Sequence, residues 1–213
     1  MRLAILGAGE LGKLIAHHAQ SDSGFEVIGF YDDFIIETSF NSFPVLGNAS
    51  RILTDFGNGK FDRLFIGIGY SHMNSRAKYL NTFKGKIPFA NIIHSSSYID
   101  ASCKLGEGIF ILPRVTLDFG VEIRDNVLIN TGGVIAHHSI IKDNCFVAPA
   151  VHVAGLVEIQ ENCFIGIGCT IADCITISKG STIGSGSVVI KDTEPNSVNV
   201  GVPSRILKFK ETQ

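Results

Sequence analysis

From Ile99 onward an aliphatic residue stands at every sixth position: Ile99, Leu105, Ile111, Leu117, Ile123, Ile129, Ile135, Ile141, Val147, Val153, Ile159, Ile165, Ile171, Ile177, Ile183 and Val189. The fourth residue after each is mostly small or β-branched, as at Cys103, Val115, Val121, Val127, Gly133, Ser139, Cys145, Val151, Cys163, Cys169 and Ser187. A period of six kept through sixteen positions rules out ordinary amphipathic strands, whose side chains alternate with a period of two. It predicts a parallel β-helix of hexapeptide repeats, in which three short strands make one coil and residues eighteen apart stack on one another. Coils would lie about 4.8 Å apart, the spacing of any sheet, and the ladder of like side chains would fill a narrow interior. The 23 glycines, the lack of tryptophan and the 18% of charged residues suit tightly wound β structure.

The N-terminal part has another rhythm. An apolar strand, Leu3 to Leu6, runs into "GAGELG", then a helical stretch to about Gln20, a second strand in "EVIGFYDD" and a third in "RLFIGIG". Strand, helix, strand, helix, strand predicts a parallel α/β unit. The segment has room for half of a dinucleotide fold, so a mononucleotide fits it better than NAD. The domains expected are an α/β Rossmann-like half domain over 1–95 and an all-β coil over 96–213.

Gly7, Gly9 and Gly12, with Ala8 between the first two, form a GxGxxG after a strand and before a helix, where missing side chains let a phosphate approach backbone amides and the helix dipole. The alternative is a glycine turn that only packs helix on strand. Asp32 and Asp33 end the second strand about where carboxylates meet a ribose or base. Gly67 and Gly69, beside Tyr70, Ser71 and Asn74, could complete the rim of that site or form a plain loop.

Four of the five cysteines, Cys103, Cys145, Cys163 and Cys169, fall on the small interior position of their hexads, where a thiol is a compact hydrophobe. Cys145 and Cys163 should stack, but a disulfide is unexpected in a reducing cytosol. No CxxC pair is present, which excludes a zinc ribbon, and no metal is expected. His17 and His18 lie on the first helix and face solvent or the domain surface. His94 either caps the first coil or lines a substrate cleft. His152 is assigned to a coil corner, and His137 and His138 to the third and fourth positions of their hexad, with one ring outward. A neutral imidazole there can take a proton near neutral pH, given an orienting partner.

The formal charge of −2 leaves no basic stripe of the kind a nucleic acid or an anionic membrane would need. The apolar run at the N-terminus, Leu3 to Leu6, breaks at glycines, too early for a signal peptide or a membrane span. A cytoplasmic location and a small-molecule ligand are expected.

The hexads, together with "VIAHHS", "CFVAPAVHVAG" and "VVIKDTEPNSVNVGVPSRI", resemble the hexapeptide-repeat acyltransferases. With the α/β domain in front, the chain is similar to their sugar O- and N-acyltransferase branch, which includes sialic-acid O-acetyltransferases and nucleotide-amino-sugar N-acetyltransferases. The resemblance implies a left-handed β-helix, a homotrimer, and acetyl-CoA held between adjacent helices. It implies His137 as catalytic base and Gly155, one coil on, as the amide that meets the thioester oxygen. Ile167 and Gly168 would line the pantetheine arm, while Gly201, Val202, Pro203 and Arg205 would close over the adenine end. The glycine loop, Asp32 and Asp33 match the nucleotide-sugar site. Two positions depart from the family pattern and weaken its simple dyad: His138, counted with His137 and Gly155 among the catalytic residues, stands where many members carry a Glu or Asp that orients and charges the imidazole, and Phe146 replaces a second histidine.

The expected activity is acetyl transfer from acetyl-CoA to the amine of a UDP- or dTDP-linked amino-deoxy sugar, for surface glycan assembly. O-acetylation of sialic acid is the nearest rival. A trimeric scaffold that only senses a nucleotide is the non-catalytic reading. A zinc carbonic anhydrase on the same coil would need an HxxxxH pair, and Lys142 and Asp143 stand five residues after the two histidines.

Overall fold

The computed structural model describes residues 1–35 and 37–210, so Ile36 and 211–213, the last of which close the expected second domain, lie outside the described residues. The chain divides into two units, Met1–Ile93 and His94–Gln213.

In the first unit, β1 (Arg2–Leu6), β2 (Glu26–Tyr31), β4 (Phe43–Gly47) and β5 (Arg63–Ile66) are parallel, and β3 (Ser39–Phe40) is antiparallel to β4, giving the order β3-β4-β2-β1-β5. Leu3, Ala4 and Ile5 are completely buried, as the continuous apolar run of a central parallel strand requires. Helix α1 (Glu10–Ser21) buries Gly12, Ile15, Ala16 and Ala19, one stripe at helical spacing. Helices α2 (Ile52–Gly57) and α3 (Met73–Phe83) complete the unit; Ile52, Leu80 and Phe83 join Tyr31, Phe61 and Leu64 in one apolar cluster.

That cluster encloses a carboxylate. Asp55, 3% exposed, accepts a hydrogen bond from the Tyr31 hydroxyl at 2.8 Å and pairs with Lys60 Nζ at 2.8 Å and Arg51 Nε at 3.8 Å. The Lys60 bond, aided by Tyr31, holds the carboxyl below its ordinary value, against the opposing effect of burial. Burial, with Asp55 beside it, pushes the Tyr31 phenol up. Asp55→Ala leaves a buried phenol without its acceptor and is expected to destabilise the protein by about 1–3 kcal/mol in urea unfolding. Because the folded carboxyl titrates below the ordinary 3.8, its contribution is complete above that pH and is lost as pH falls through the folded value. Asp55→Asn should therefore lose less stability than wild type on acidification below about pH 4.

The second unit is a three-faced parallel coil. Every aliphatic residue of the six-period is the second residue of a two-residue strand, from Tyr98–Ile99 to Val188–Val189. All sixteen point inward and are buried except Ile99 and Leu105, which belong to the first coil. Strands pair eighteen residues apart, for example Val134↔His152 and Ile135↔Val153. One face carries Tyr98, Thr116, Val134, His152, Thr170 and Val188 outward; the next begins at Lys104–Leu105 and the third at Phe110–Ile111. The third face continues into Ser197–Val200 and then, antiparallel, Arg205–Phe209, whose residues are all exposed.

Small interior residues do more than fill space. Cys145 Sγ lies 3.0 Å from Gln160 O, Cys163 Sγ 3.2 Å from Ser178 O, and Cys169 Sγ 3.0 Å from Gly184 O, while the Ser139 hydroxyl donates to Ala154 O at 2.9 Å. Each reaches a carbonyl of the following coil, satisfying an acceptor at a bend in the chain. All five cysteines are free thiols, and Cys103 is only partly buried. His152, assigned above to a corner, is instead an exposed strand residue between Val134 and Thr170. The strand takes its position because Val153, the six-period residue, must point inward.

Candidate active site

The turns between the first and second faces stack into one corner. Its consecutive coils bring Phe119–Gly120, His137–His138, Gly155–Leu156 and Asp173–Cys174 into line, tied by backbone bonds from His138 N to Phe119 O at 2.9 Å, Leu156 N to His137 O at 3.0 Å and Cys174 N to Gly155 O at 3.0 Å. Both histidines are exposed there, where one outward ring was expected. The His137 ring lies against Gly155: a Cβ on Gly155 would come within 2.6 Å of His137 Cε1 and Nε2. The opposite side of the ring is engaged by its neighbour, Nδ1 to Nδ1 at 3.2 Å. The His138 ring meets Phe119 edge-on at 5.2 Å between centroids. His137 can thus present Nε2 from a fixed ring over a backbone glycine, the arrangement of a positioned acid or base. Among the described residues no group of three or more His, Cys, Asp or Glu could hold a metal ion.

Ile167 and Gly168 are exposed on a different corner, between the third and first faces. Gly201, Val202 and Pro203 form the exposed turn between Ser197–Val200 and Arg205–Phe209, with a cis Val202–Pro203 bond. Beside it lies a groove of about 260 Å³ lined by Ile190, Lys191, Asp192, Asn199, Ser204 and Arg205, among others. Two cations and several hydroxyl or amide groups suit the phosphates of a nucleotide. Lys191 received no role of its own in the sequence reading, although it stands within the quoted "VVIKDTEPNSVNVGVPSRI". Phe146, the departure noted above, is buried and packs on Phe164 at 5.8 Å between centroids. His94 Nδ1 accepts a bond from Ser96 N at 3.1 Å, and the His94 backbone N–H donates to Ile111 O at 2.9 Å, at the start of the coil.

In the first unit the glycine loop packs helix on strand. A Cβ on Gly12 would sit 2.1 Å from Gly7 O, and one on Gly7 would strike Gly67 at 2.9 Å. The loop's amides are partly taken: Gly7 N–H goes to Tyr31 O at 2.8 Å and Ala8 N–H to the Asp32 carboxylate at 2.9 Å. Asp32 also accepts from Phe34 N and Ile35 N. It therefore braces the loop with oxygens that the sequence reading offered to a ribose. Asp33 is more exposed, accepting from Ala49 N and from the Tyr79 hydroxyl, a bond that pushes the phenol up to about 12. Gly9 remains exposed at the helix start; Gly69, Tyr70 and Ser71 lead into α3, with Tyr70 and Ser71 exposed. Tyr79 was missed, because nothing in its spacing ties it to Asp33.

Residues 2–83 match the family described as the PglD N-terminal domain. Over 98% of this chain and 97% of the other, the structure is similar to a GDP-perosamine N-acetyl transferase from Caulobacter crescentus, in complex with CoA and GDP-perosamine, at 26% identity and a TM-score of 0.89. The acetyltransferase domain of PglB from Neisseria gonorrhoeae, in complex with acetyl coenzyme A, matches over 97% of this chain and 98% of the other, at 25% identity and a TM-score of 0.85. The chain has the left-handed β-helix fold of these acetyltransferases, with the α/β half domain in front. WeeI from Acinetobacter baumannii shares its fold, with a TM-score of 0.81 at 24% identity over 97% of this chain and 100% of the other. Among the described residues no helix is long and apolar enough to cross a membrane.

Proposed function

We propose that this acyltransferase moves an acetyl group from acetyl-CoA to the amino group of a nucleotide-linked amino-deoxy sugar, for surface glycan assembly, and works as a homotrimer. The observation that carries the reading is the corner at His137. Its ring is clamped between Gly155 and His138, with the Nε2 edge over backbone. The whole-chain likeness to an enzyme crystallised with CoA and GDP-perosamine supports the same chemistry here.

Acetyl-CoA supplies the electrophilic thioester carbonyl. His137 Nε2 accepts the proton that the attacking amine sheds as its nitrogen forms the new C–N bond, and as the C–S bond breaks the departing thiolate takes that proton back from His137 to leave as the thiol. The amide of Gly155 is the donor assigned to the thioester oxygen, a contribution of roughly 3–4 kcal/mol where such donors have been removed. Lys191 and Arg205 would hold phosphates of the donor, with Gly201 to Pro203 alongside. Ile167 and Gly168 occupy another corner than His137 in one chain, so a crevice containing both requires a second copy; this supports the trimer. In the first unit, Asp33, Tyr79 and the loop around Gly69 to Ser71 are the groups left to hold the nucleoside, since Asp32 is spent on Ala8.

The base and the sugar are decided by a panel of UDP-, dTDP- and GDP-linked amino sugars, read by thermal shift and then by thiol release from acetyl-CoA. One nucleotide amino sugar is expected to raise the melting temperature by several degrees and to drive thiol release. Turnover on free sialic acid but on none of the panel would replace the reading with O-acetylation. Binding of acetyl-CoA with no turnover on any acceptor would favour the scaffold.

A further inference from the structure

We infer that Phe119 and Asp118, on the coil before His137, form the subsite for the pyranose ring of the acceptor: the Phe119 ring takes its apolar face, and the Asp118 carboxylate accepts from a hydroxyl. The inference rests on the reading of His137 as the place of acetyl transfer. The order of one column of side chains divides the corner in two. Residues eighteen apart stack, so Phe119, His137, Gly155, Asp173 and Lys191 follow one another, one per coil. Coils lie about 4.8 Å apart, which puts Lys191 about 14 Å along the column from His137. The groove of Lys191 and Arg205 is assigned to the phosphates of the donor, and Gly155 to its thioester oxygen. The donor therefore takes the half of the corner from His137 toward Lys191. The half toward the first coil is left for the acceptor, and Phe119 stands there.

The two halves differ in chemistry as this division requires. Beyond Gly155 come Leu156 and Cys174, both exposed, and then the cations Lys191 and Arg205. Before His137 come Phe119, 54% exposed, and the carboxylates of Asp118 and Asp100. Asp100 is engaged by Ser102 and by the Tyr98 hydroxyl. Asp118 is exposed and accepts from Phe119 N on Oδ1 at 2.7 Å; among the described residues Oδ2 has no partner. Two negative charges disfavour the acceptor's own diphosphate at this end, and a sugar hydroxyl is a donor that Asp118 Oδ2 can still bind.

The fold makes no demand for an aromatic ring at position 119. The same column is filled by Ala101, His137, Gly155, Asp173 and Lys191, and residue 119 is not among those with positive φ. Its carbonyl accepts from His138 N whatever side chain it carries. The ring meets His138 edge-on at 5.2 Å between centroids, and more than half of it faces solvent. A pyranose presents C–H bonds on its apolar face. Those hydrogens are slightly positive and the face of an aromatic ring is negative, so the two attract while apolar area leaves water. One coil spacing, about 4.8 Å, separates Phe119 from His137, a step that a pyranose with its exocyclic amine spans.

Phe119→Ala is expected to raise KM for the best acceptor of the UDP-, dTDP- and GDP-linked panel about tenfold, with kcat within threefold and KM for acetyl-CoA within twofold. Phe119→Tyr keeps the aromatic face and should stay within threefold of wild type, whereas Phe119→Leu, apolar but without that face, should resemble the alanine variant. Asp118→Asn keeps an oxygen for Phe119 N–H and replaces the other, and should raise the same KM about fivefold. The matching nucleoside diphosphate, which has no sugar to place, should bind wild type and Phe119→Ala alike in calorimetry. An acceptor KM within twofold of wild type in Phe119→Ala, Phe119→Leu or Asp118→Asn, or equal weakening of the nucleoside diphosphate, would overturn the inference. So would a loss confined to kcat, which is what a ring that merely props His138 would give. The two levels separate. If wild type turns over no member of the panel, the functional reading falls and takes the subsite with it; if wild type is active and Phe119→Ala keeps its acceptor KM, only the subsite falls.

Discussion

His137→Ala is expected to lower kcat by about 10²–10⁴, the usual worth of a positioned general base, with a far-UV spectrum and melting temperature close to wild type. Both parts of the expectation come from the geometry. The ring is exposed on a turn, so removing it opens no cavity, and surface substitutions usually change stability by no more than about 0.5 kcal/mol. An amine that has attacked a carbonyl must lose a proton before the product amide is neutral, and Nε2 is the group the corner offers for it. Steady-state thiol release with saturating donor and acceptor measures the effect. A loss smaller than about twofold would mean that the proton leaves by another route, to water or to the departing thiolate, and that His137 only shapes the corner.

How far the amino-acid sequence foretold this corner depends on the part considered. The coil was legible because a period of six has one structural reading, and the inward positions from Ile111 to Val189 follow it without exception. His137 and Gly155 were legible as neighbours for the same reason, since residues eighteen apart stack. The hairpin of β3 and β4 was not, although Asn41 and Ser42 both take positive φ in its two-residue turn; the strands flanking it are too short to show alternation. The link from Nδ1 of His137 to Nδ1 of His138 was equally invisible. Adjacent residues seldom face one another, and these do because position 138 turns left-handed. The roles of Asp32 and Tyr79 depend on side-chain hydrogen bonds across 24 and 46 residues, which no local pattern encodes. Spacing placed a carboxylate pair at the end of β2, and tertiary contacts chose which one braces the loop and which stays accessible.

Gly155→Ala should lower kcat by about a hundredfold while the coil folds normally. Gly155 is not among the positive-φ residues, so alanine meets no backbone strain. What it meets is the imidazole: the new Cβ would stand 2.6 Å from Cε1 and Nε2, well inside van der Waals contact. Backbone on one side, and on the other only the exposed side chain of His138, make the ring the part that moves, by close to 1 Å, and misplacement of that size in a catalytic group can cost about 10² in rate. The Gly155 amide is still present in the variant, which allows its two assigned roles to be separated. If the substitution acts by displacing His137, the double variant His137→Ala, Gly155→Ala should be no slower than His137→Ala alone, because the group being displaced is already gone. A full second hundredfold loss in the double variant would instead show that alanine shifts the backbone donor or blocks the thioester independently of the ring, and the account of Gly155 as the floor beneath His137 would have to be given up.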